Sequence, residues 1–451
     1  MIRDDAIKIW KAGVAAVHGR TLVENSVRLD GNQLTVADQS FDLAQFDRIL
    51  VVGGGKFSHY MAAGIEAVLG SELSRKKNLS GLITVPDGSN EQVRLQFVEA
   101  AECRPKGINL PTQRVIDATN RMVEQLREVD ERTLALALIS GGGSALIEKS
   151  TLPLDDIISA TNWLSSRGAN IIELNSVRIA ASEVKGGGLA SAMPSGTMVG
   201  LIVSDVPGDD LRFVSSGPTV DFGNGVVGQA QQVLDRFDAK ADPSFPESVS
   251  NHLNSTIEFP KLRATVSNFL LGNADVAERA AIETAKSLGY EVLDDLLAKT
   301  ETCDQIADVV LSWCTKPADG KQCIVSLGEP VVQPGKSAGQ GGRNQHAVLC
   351  AIKKLLTAKL DSQFCFLSAG TDGEDGTTSV AGAHVTHYDI ETLAGQTASI
   401  SKSLTQFNSH PILSANGLVF ETGPTATNVA DLRVLLRNAN HAVFHGFFSQ
   451  V

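Results

Sequence analysis

The chain has 451 residues, with 39 Lys plus Arg against 51 Asp plus Glu and 43% hydrophobic residues. At roughly 100–200 residues per domain this length makes two or three domains, each with its own core, and excludes general disorder. A net charge of −12 argues against nucleic acid or an anionic membrane as partner, because both need a cationic face; any phosphate must be held locally. Glycine is over-represented, 41 of 451 residues against about 7% in average proteins. The six cysteines form no CxxC pair, which suits reduced core thiols in a reducing compartment. With no apolar leader after Met1 and no run of roughly 18 apolar residues, a cytoplasmic location is the expectation.

Residues 4–17 place Ile7, Ile9, Trp10, Val14 and Val17 at helical spacing and predict an opening amphipathic helix. Arg48-Ile49-Leu50-Val51-Val52 is then a short apolar run, broken by Gly53-Gly54-Gly55-Lys56, and residues 57–69 resume at helical period. This is strand, glycine turn, helix. The same grammar returns at 134–139, with Ser140-Gly141-Gly142-Gly143-Ser144 and a helical start at Ala145. It returns again at 197–203, with Ser204-Asp205-Val206-Pro207-Gly208-Asp209-Asp210. Such alternation predicts a mostly parallel sheet, and the three loops are expected together on its carboxyl edge.

Between 238 and 260 the composition turns polar with Pro243, Pro246 and Pro260, and α/β alternation restarts beyond it. Strands are expected at 266–271, 321–327 and 364–367, and helices at 274–288, 304–313 and 344–360. The expectation is an N-terminal α/β domain over 1–240, a linker over 241–260 and a C-terminal α/β domain over 261–451. The long loop 330–342 is glycine-rich and reads as a lid.

Several clusters carry candidate chemistry. At Gly53-Gly54-Gly55-Lys56, glycines let backbone N–H groups approach an anion and Lys56 adds a full charge, although a tight turn with a solvated lysine has the same sequence. It is neither a P-loop, since Phe57 follows Lys56, nor a dinucleotide fingerprint, since Ser58 stands at the third glycine. Ser140, Gly141, Gly142, Gly143 and Ser144 offer N–H groups and two hydroxyls to phosphate oxygens, or form a capped turn. Asn175 and Arg178 share a helix face with Lys185 two turns on, an arrangement suited to a carboxylate bearing a neighbouring hydroxyl. Asp205 and Asp372 stand just past strands, where Mg²⁺ is often held by one or two carboxylates plus substrate phosphates. Gly341 and Gly342 precede Arg343 at a helix start, from which it could reach a transferring phosphoryl group. Together these are the parts of metal-assisted phosphoryl transfer.

The ordered blocks carry a further pattern. Gly53-Gly54-Gly55-Lys56, Ile139-Ser140-Gly141-Gly142-Gly143-Ser144, Leu174-Asn175-Ser176-Val177-Arg178 and Lys185-Gly186-Gly187-Gly188 are followed by Ser204-Asp205-Val206-Pro207-Gly208-Asp209-Asp210 and Ser216-Gly217-Pro218-Thr219. Gly328-Glu329, Gly341-Gly342-Arg343-Asn344-Gln345, Ala369-Gly370-Thr371-Asp372-Gly373 and Thr422-Gly423-Pro424-Thr425-Ala426-Thr427-Asn428 complete the series. In this order they resemble the class of glycerate 2-kinases whose C-terminal half is known as the MOFRL domain, over most of the chain. The resemblance implies a Rossmann-like N-terminal domain, a MOFRL-like C-terminal domain and an active site in the interdomain cleft. It implies ATP- and Mg²⁺-dependent phosphorylation of D-glycerate on its 2-hydroxyl. Lys56 and Arg343 would then stabilise the phosphoryl group, Ser140 to Ser144 would cradle phosphate, and Asp205 would hold Mg²⁺ or orient the hydroxyl. Arg178 would take the substrate carboxylate, with Asn175, Lys185, Glu329, Thr425 and Asn428 as further binding residues.

The chain departs from the family pattern at Cys103-Arg104-Pro105-Lys106-Gly107, at Ile179-Ala180 where Lys-His is usual, at His346 where an acid is usual, and at Ala426 where glycine is usual. These positions bear on the acceptor, leaving a kinase for another short hydroxy acid as one alternative; the resemblance itself leaves an NAD(P)H-dependent hydroxypyruvate reductase as another, since members of the family have carried that label. Partners are thus glycerate and ATP, with no nucleic acid and no membrane; a homo-oligomer is compatible with this reading.

Overall fold

The computed structural model describes residues 2–105, 108–223, 225–255, 257, 261–298, 300, 302–332, 339–360 and 362–439. Most of the expected lid (333–338), Lys106 and Gly107, and residues 256 and 258–260 of the expected linker lie outside the described residues. The chain forms two compact units, 17–273 with 426–429, and 2–16 with 274–425 and 430–439.

In the first unit a six-stranded sheet is parallel throughout. Its order is Glu99–Arg104, Ser80–Pro86, Arg48–Gly54, Thr133–Ile139, Thr197–Val203, Thr265–Gly272. Every residue of Thr133–Ile139 is buried, so the strand is covered on both faces and reads as a continuous apolar run rather than an alternation. Counted along the chain the strand order is 3-2-1-4-5-6, which reverses between Arg48–Gly54 and Thr133–Ile139. In open α/β sheets the ligand crevice forms outside the carboxyl ends at this switch point. The strand Arg48–Gly54 runs two residues further than its apolar run and is left at Gly55-Lys56; Ser140 to Ser144 leaves Thr133–Ile139, and the loop of Asp205 leaves the next strand on the same edge, as the alternation predicts.

One expectation fails here. No long helix starts at Ala145: Gly143–Ala145 is a single 3-10 turn, and the next helix is Leu154–Ser166. Pro153 disfavours helical backbone in the residue before it, and Glu148 is drawn inward.

The second unit departs from a mostly parallel sheet. Its strand order is Glu291–Val292, Gln322–Leu327, Asp431–Ala439, Ser362–Gly370, Gly382–Thr386, Val419–Phe420, and only the first pair is parallel. Ser362–Gly370 and Gly382–Thr386 are joined by residues 371–381 with no helix between them. A parallel crossover needs a dozen or more residues, usually with a helix, so the chain turns back antiparallel. Asp431–Ala439 then enters antiparallel to both neighbours.

The domain boundary also differs from the expected 241–260 linker. Residues 241–260 include the helix Glu247–Asn254, begun at Pro246, whose Val249 and Leu253 pack with Trp163, Leu164 and Leu234. Proline is tolerated at a helix start, so its clustering marks a helix here rather than a link. Thr265–Gly272 still belongs to the first sheet, and the opening helix Ile2–Ala16 belongs to the second unit, where Ile9, Trp10 and Val14 pack with Ala281, Ala285 and Leu432. All six cysteines are free and buried. Among the described residues no helix is long and apolar enough to cross a membrane.

Candidate active site

The first glycine turn is tied into the protein. Gly55 N–H donates to the Thr84 carbonyl at 3.1 Å, Lys56 N–H to the Gly141 carbonyl at 2.9 Å, and Phe57 N–H to the Ser140 hydroxyl at 3.4 Å. These amides are not left for an anion. Glycine is required at 55 because its φ is +150° and the Ser140 side chain and carbonyl occupy the place of a Cβ; at 54 the Thr84 hydroxyl does. Gly54 and Gly55, expected to bind phosphate, are therefore close-approach positions between strands. What the turn presents is the Lys56 side chain, whose aliphatic stem lies against Gly142.

In the second turn Ser140 is fully buried; its hydroxyl pairs with that of Ser58 at 3.1 Å and its carbonyl accepts from the Ser215 hydroxyl at 2.9 Å. Its side chain is a strut rather than the expected phosphate ligand. Ser144 is half-buried and pairs with the Ser216 hydroxyl at 2.9 Å. Ser215 and Ser216 both have left-handed backbone, φ +52° and +64°, at a cost of about 1–3 kcal/mol each. The Ser215 side-chain bond and the Gly186 N–H on the Ser216 carbonyl at 3.0 Å hold them there. Strain of this kind concentrates where geometry serves function. In the sequence Ser216 stands only at the start of the Ser216-Gly217-Pro218-Thr219 block, and Ser215 belongs to no motif.

Asp205 and Asn428 converge on Gly141: their Oδ2 and Nδ2 atoms lie 2.6 and 2.7 Å from where its Cβ would stand. Asp205 is partly exposed. Burial pushes its carboxyl above the ordinary carboxylate value, while backbone N–H groups and the Lys56 charge favour the ionised form.

Next to Ser144 a small cavity is lined by Asn109, Ile157, Glu148, Arg178 and Lys185. Arg178 projects from the helix Ile171–Ala180, which is fixed at its start by a capping box of Asn170 and Glu173. Among the described residues the Arg178 guanidinium has no hydrogen-bonded or ion-paired partner. Burial pulls its pKa down and the Glu148 charge opposes this. Asn175, one turn earlier, is buried. Lys185, expected to bind substrate, is only 1% exposed and forms an ion pair with Glu148. Glu148 carries no mark in the sequence, because a lone acid after a glycine turn gives no signal of burial. The departures at Ile179 and Ala180 are core residues, so they alter packing rather than the cavity. Arg104, at another departure, is buried and donates to Asn109 at 2.7 Å.

The remaining candidates lie in the second unit. Arg343 donates to both oxygens of Asp431, with Nη2–Oδ1 at 2.9 Å, and pairs with Glu329 at 2.7 Å. Burial would lower its pKa, but the charge and hydrogen bonds of Asp431, then Glu329 and Asp375, raise it. Asp375 accepts from the backbone N–H groups of Asn344 (3.0 Å) and Gln345 (2.9 Å), so the helix Arg343–Leu355 already has an anion at its start. Gly342 is required because the Asp375 carboxylate fills its Cβ position, and Gly341 takes part in the turn with Thr377. Asp372 accepts from Glu374 N–H at 3.1 Å, and the Thr425 hydroxyl donates to the Thr371 carbonyl. His346 stacks on Phe407 at 4.9 Å.

Similarity to known proteins extends over nearly the whole chain. Residues 5–254 match a family described as a domain of unknown function, DUF4147, and residues 322–431 match the MOFRL family. The chain is 30% identical to a human protein named glycerate kinase, over 96% of this chain and 93% of that one. It is 30% identical to a Thermotoga maritima protein named D-glycerate 2-kinase, over 86% and 90%. A crystal structure of glycerate kinase from Thermotoga maritima superposes with a TM-score of 0.77 at 28% identity, covering 96% of this chain and 99% of that one. With family matches at both ends and likeness over nearly its whole length, the chain belongs to the MOFRL-containing family of glycerate 2-kinases.

Proposed function

We propose that the protein transfers a phosphoryl group from ATP to the 2-hydroxyl of D-glycerate, giving 2-phosphoglycerate and ADP with the aid of Mg²⁺. The observation that carries this reading is the unpartnered Arg178 guanidinium in a cavity that opens beside Ser144. A guanidinium binds a carboxylate bidentately, and the glycerate kinases among the relatives supply the acceptor. Phosphoryl transfer asks the protein for positioning and electrostatic stabilisation rather than covalent chemistry. Lys56 provides the cation, and the Ser144 hydroxyl, which lines the cavity, provides a donor. Asp205, with the Asn428 amide beside it, would hold the magnesium ion, whose chemistry is to neutralise charge on the phosphates. That donor set fits, because Mg²⁺ binds through one or two carboxylates plus substrate oxygens.

The 3-2-1-4-5-6 strand order is also that of dinucleotide-binding folds, which favours reduction of hydroxypyruvate as a second reading. The engaged amides of Gly55 and Lys56 speak against it, since a pyrophosphate would need them. An assay of ADP release separates the two: turnover is expected to require both Mg²⁺ and D-glycerate. NADH oxidation with hydroxypyruvate in place of that requirement would overturn the kinase reading.

A further inference from the structure

We propose that Lys185 is a positioning residue that holds the Glu148 carboxylate in place and so keeps the Arg178 guanidinium unpaired for the acceptor's carboxylate. This rests on the reading of Arg178 given above. Two cations and one anion line the same cavity. A buried carboxylate between two cations pairs with one of them, because leaving it unpaired in a low-dielectric site is costly. Pairing with Arg178 would fill the acceptor site with an internal anion. The structure shows the other pairing. Lys185 and Glu148 side chains are 1% and 3% exposed and bonded to each other. The second Glu148 oxygen accepts from the Ser182 hydroxyl at 2.7 Å and from Lys149 N–H at 3.0 Å, so the carboxylate is fully engaged away from Arg178.

The anchor of Lys185 is itself fixed. Gly186 N–H donates to the Ser216 carbonyl at 3.0 Å and Gly187 N–H to the Gly217 carbonyl at 2.8 Å, which ties the lysine to the strained serine turn beside Ser144. The three side chains sum to a single positive charge, which matches an acceptor with one carboxylate. In this role Lys185 need not touch substrate.

Steady-state kinetics with D-glycerate test the inference on Arg178→Met, Lys185→Met, Glu148→Gln and the Lys185→Met/Glu148→Gln pair, each checked by its thermal melting. Lys185→Met releases Glu148 onto Arg178 and is expected to raise KM by the roughly 10–100-fold that a charge-assisted hydrogen bond is worth, with kcat much less affected. The double variant has no carboxylate to release and is expected to return KM to within a few-fold of the parent. A folded double variant with KM as high as that of Lys185→Met overturns the inference, since Lys185 would then be a ligand itself. Should Lys185→Met not fold, the double variant and Glu148→Gln still decide it: both must keep near-parental KM, and a raised KM in the folded double variant overturns it. Arg178→Met with unchanged KM would instead remove the reading of Arg178, whatever the pair does.

Discussion

Two stretches of this chain look alike in sequence and have opposite electrostatics in the fold. Ser140-Gly141-Gly142-Gly143-Ser144 and Gly341-Gly342-Arg343-Asn344-Gln345 are both glycine-rich turns with polar side chains before an expected helix. In the second, the anion positions are filled from within: Asp375 sits on the amides of Asn344 and Gln345, and Asp431 grips Arg343. In the first, Ser144 lines a cavity whose arginine is unpaired, and the neighbouring carboxylate, Asp205, lies beside Lys56. A chain with 51 acidic residues and a net charge of −12 has ample carboxylate to satisfy its own cationic sites. The site left open is therefore the informative one.

The contrast can be broken most severely at Lys56. Lys56→Ala is expected to lower kcat by roughly 10²–10³-fold, the usual loss when one preorganised donor to the developing charge is removed, with an unchanged melting temperature. Retained turnover would show that the open turn is not where the chemistry is. Asp375→Asn addresses the filled turn. It weakens an internal helix cap and is expected to cost about 1–2 kcal/mol, read as a lower urea midpoint; equal stability would mean that the helix start is not held by this carboxylate.

Ala426→Gly sharpens the picture from the backbone. Ala426 has a left-handed φ of +64°, and its carbonyl accepts from Gly19 N–H at 3.0 Å. Relief of ~1–2 kcal/mol of left-handed strain exceeds the ~0.4–1 kcal/mol entropic cost of glycine in the unfolded chain, so the substitution should raise stability slightly. A fall in melting temperature would count against the strain. The smallest effect concerns pH. Burial raises the Asp205 pKa in the folded metal-free protein, so the folded state holds that proton more tightly than the unfolded chain. Its contribution to stability is present below the ordinary carboxylate value of about 4 and is lost as pH rises from there through the raised value. Urea titrations of the parent and Asp205→Asn across that window should differ in slope; identical slopes would show that Asp205 is not desolvated.

Much of the first unit was legible. Continuous apolar runs at 134–139 and 197–203 followed by glycine or acid-rich turns announced buried parallel strands, and a parallel sheet puts all their loops on one edge. The second unit was misread in topology, because helix and strand periodicity says nothing about direction: the short helix-free connection at 371–381 and the late strand Asp431–Ala439 make the sheet mixed. The 241–260 linker was misread because proline begins helices as well as breaking them.

The candidate site divides in the same way. Residue types and order alone picked out Lys56 and Asp205, because charge beside turns at strand ends is a local property, and Arg178 through the helix face it shares with Asn175; order and spacing also carried the family resemblance. Only the tertiary structure decided which charges are available. Glu148, Asp375 and Asp431 come from other segments to pair with Lys185, with the helix start at Asn344 and with Arg343, and none comes to Arg178. Pairing is a long-range competition among carboxylates, so it is settled when the chain folds and cannot be read from any one stretch of it.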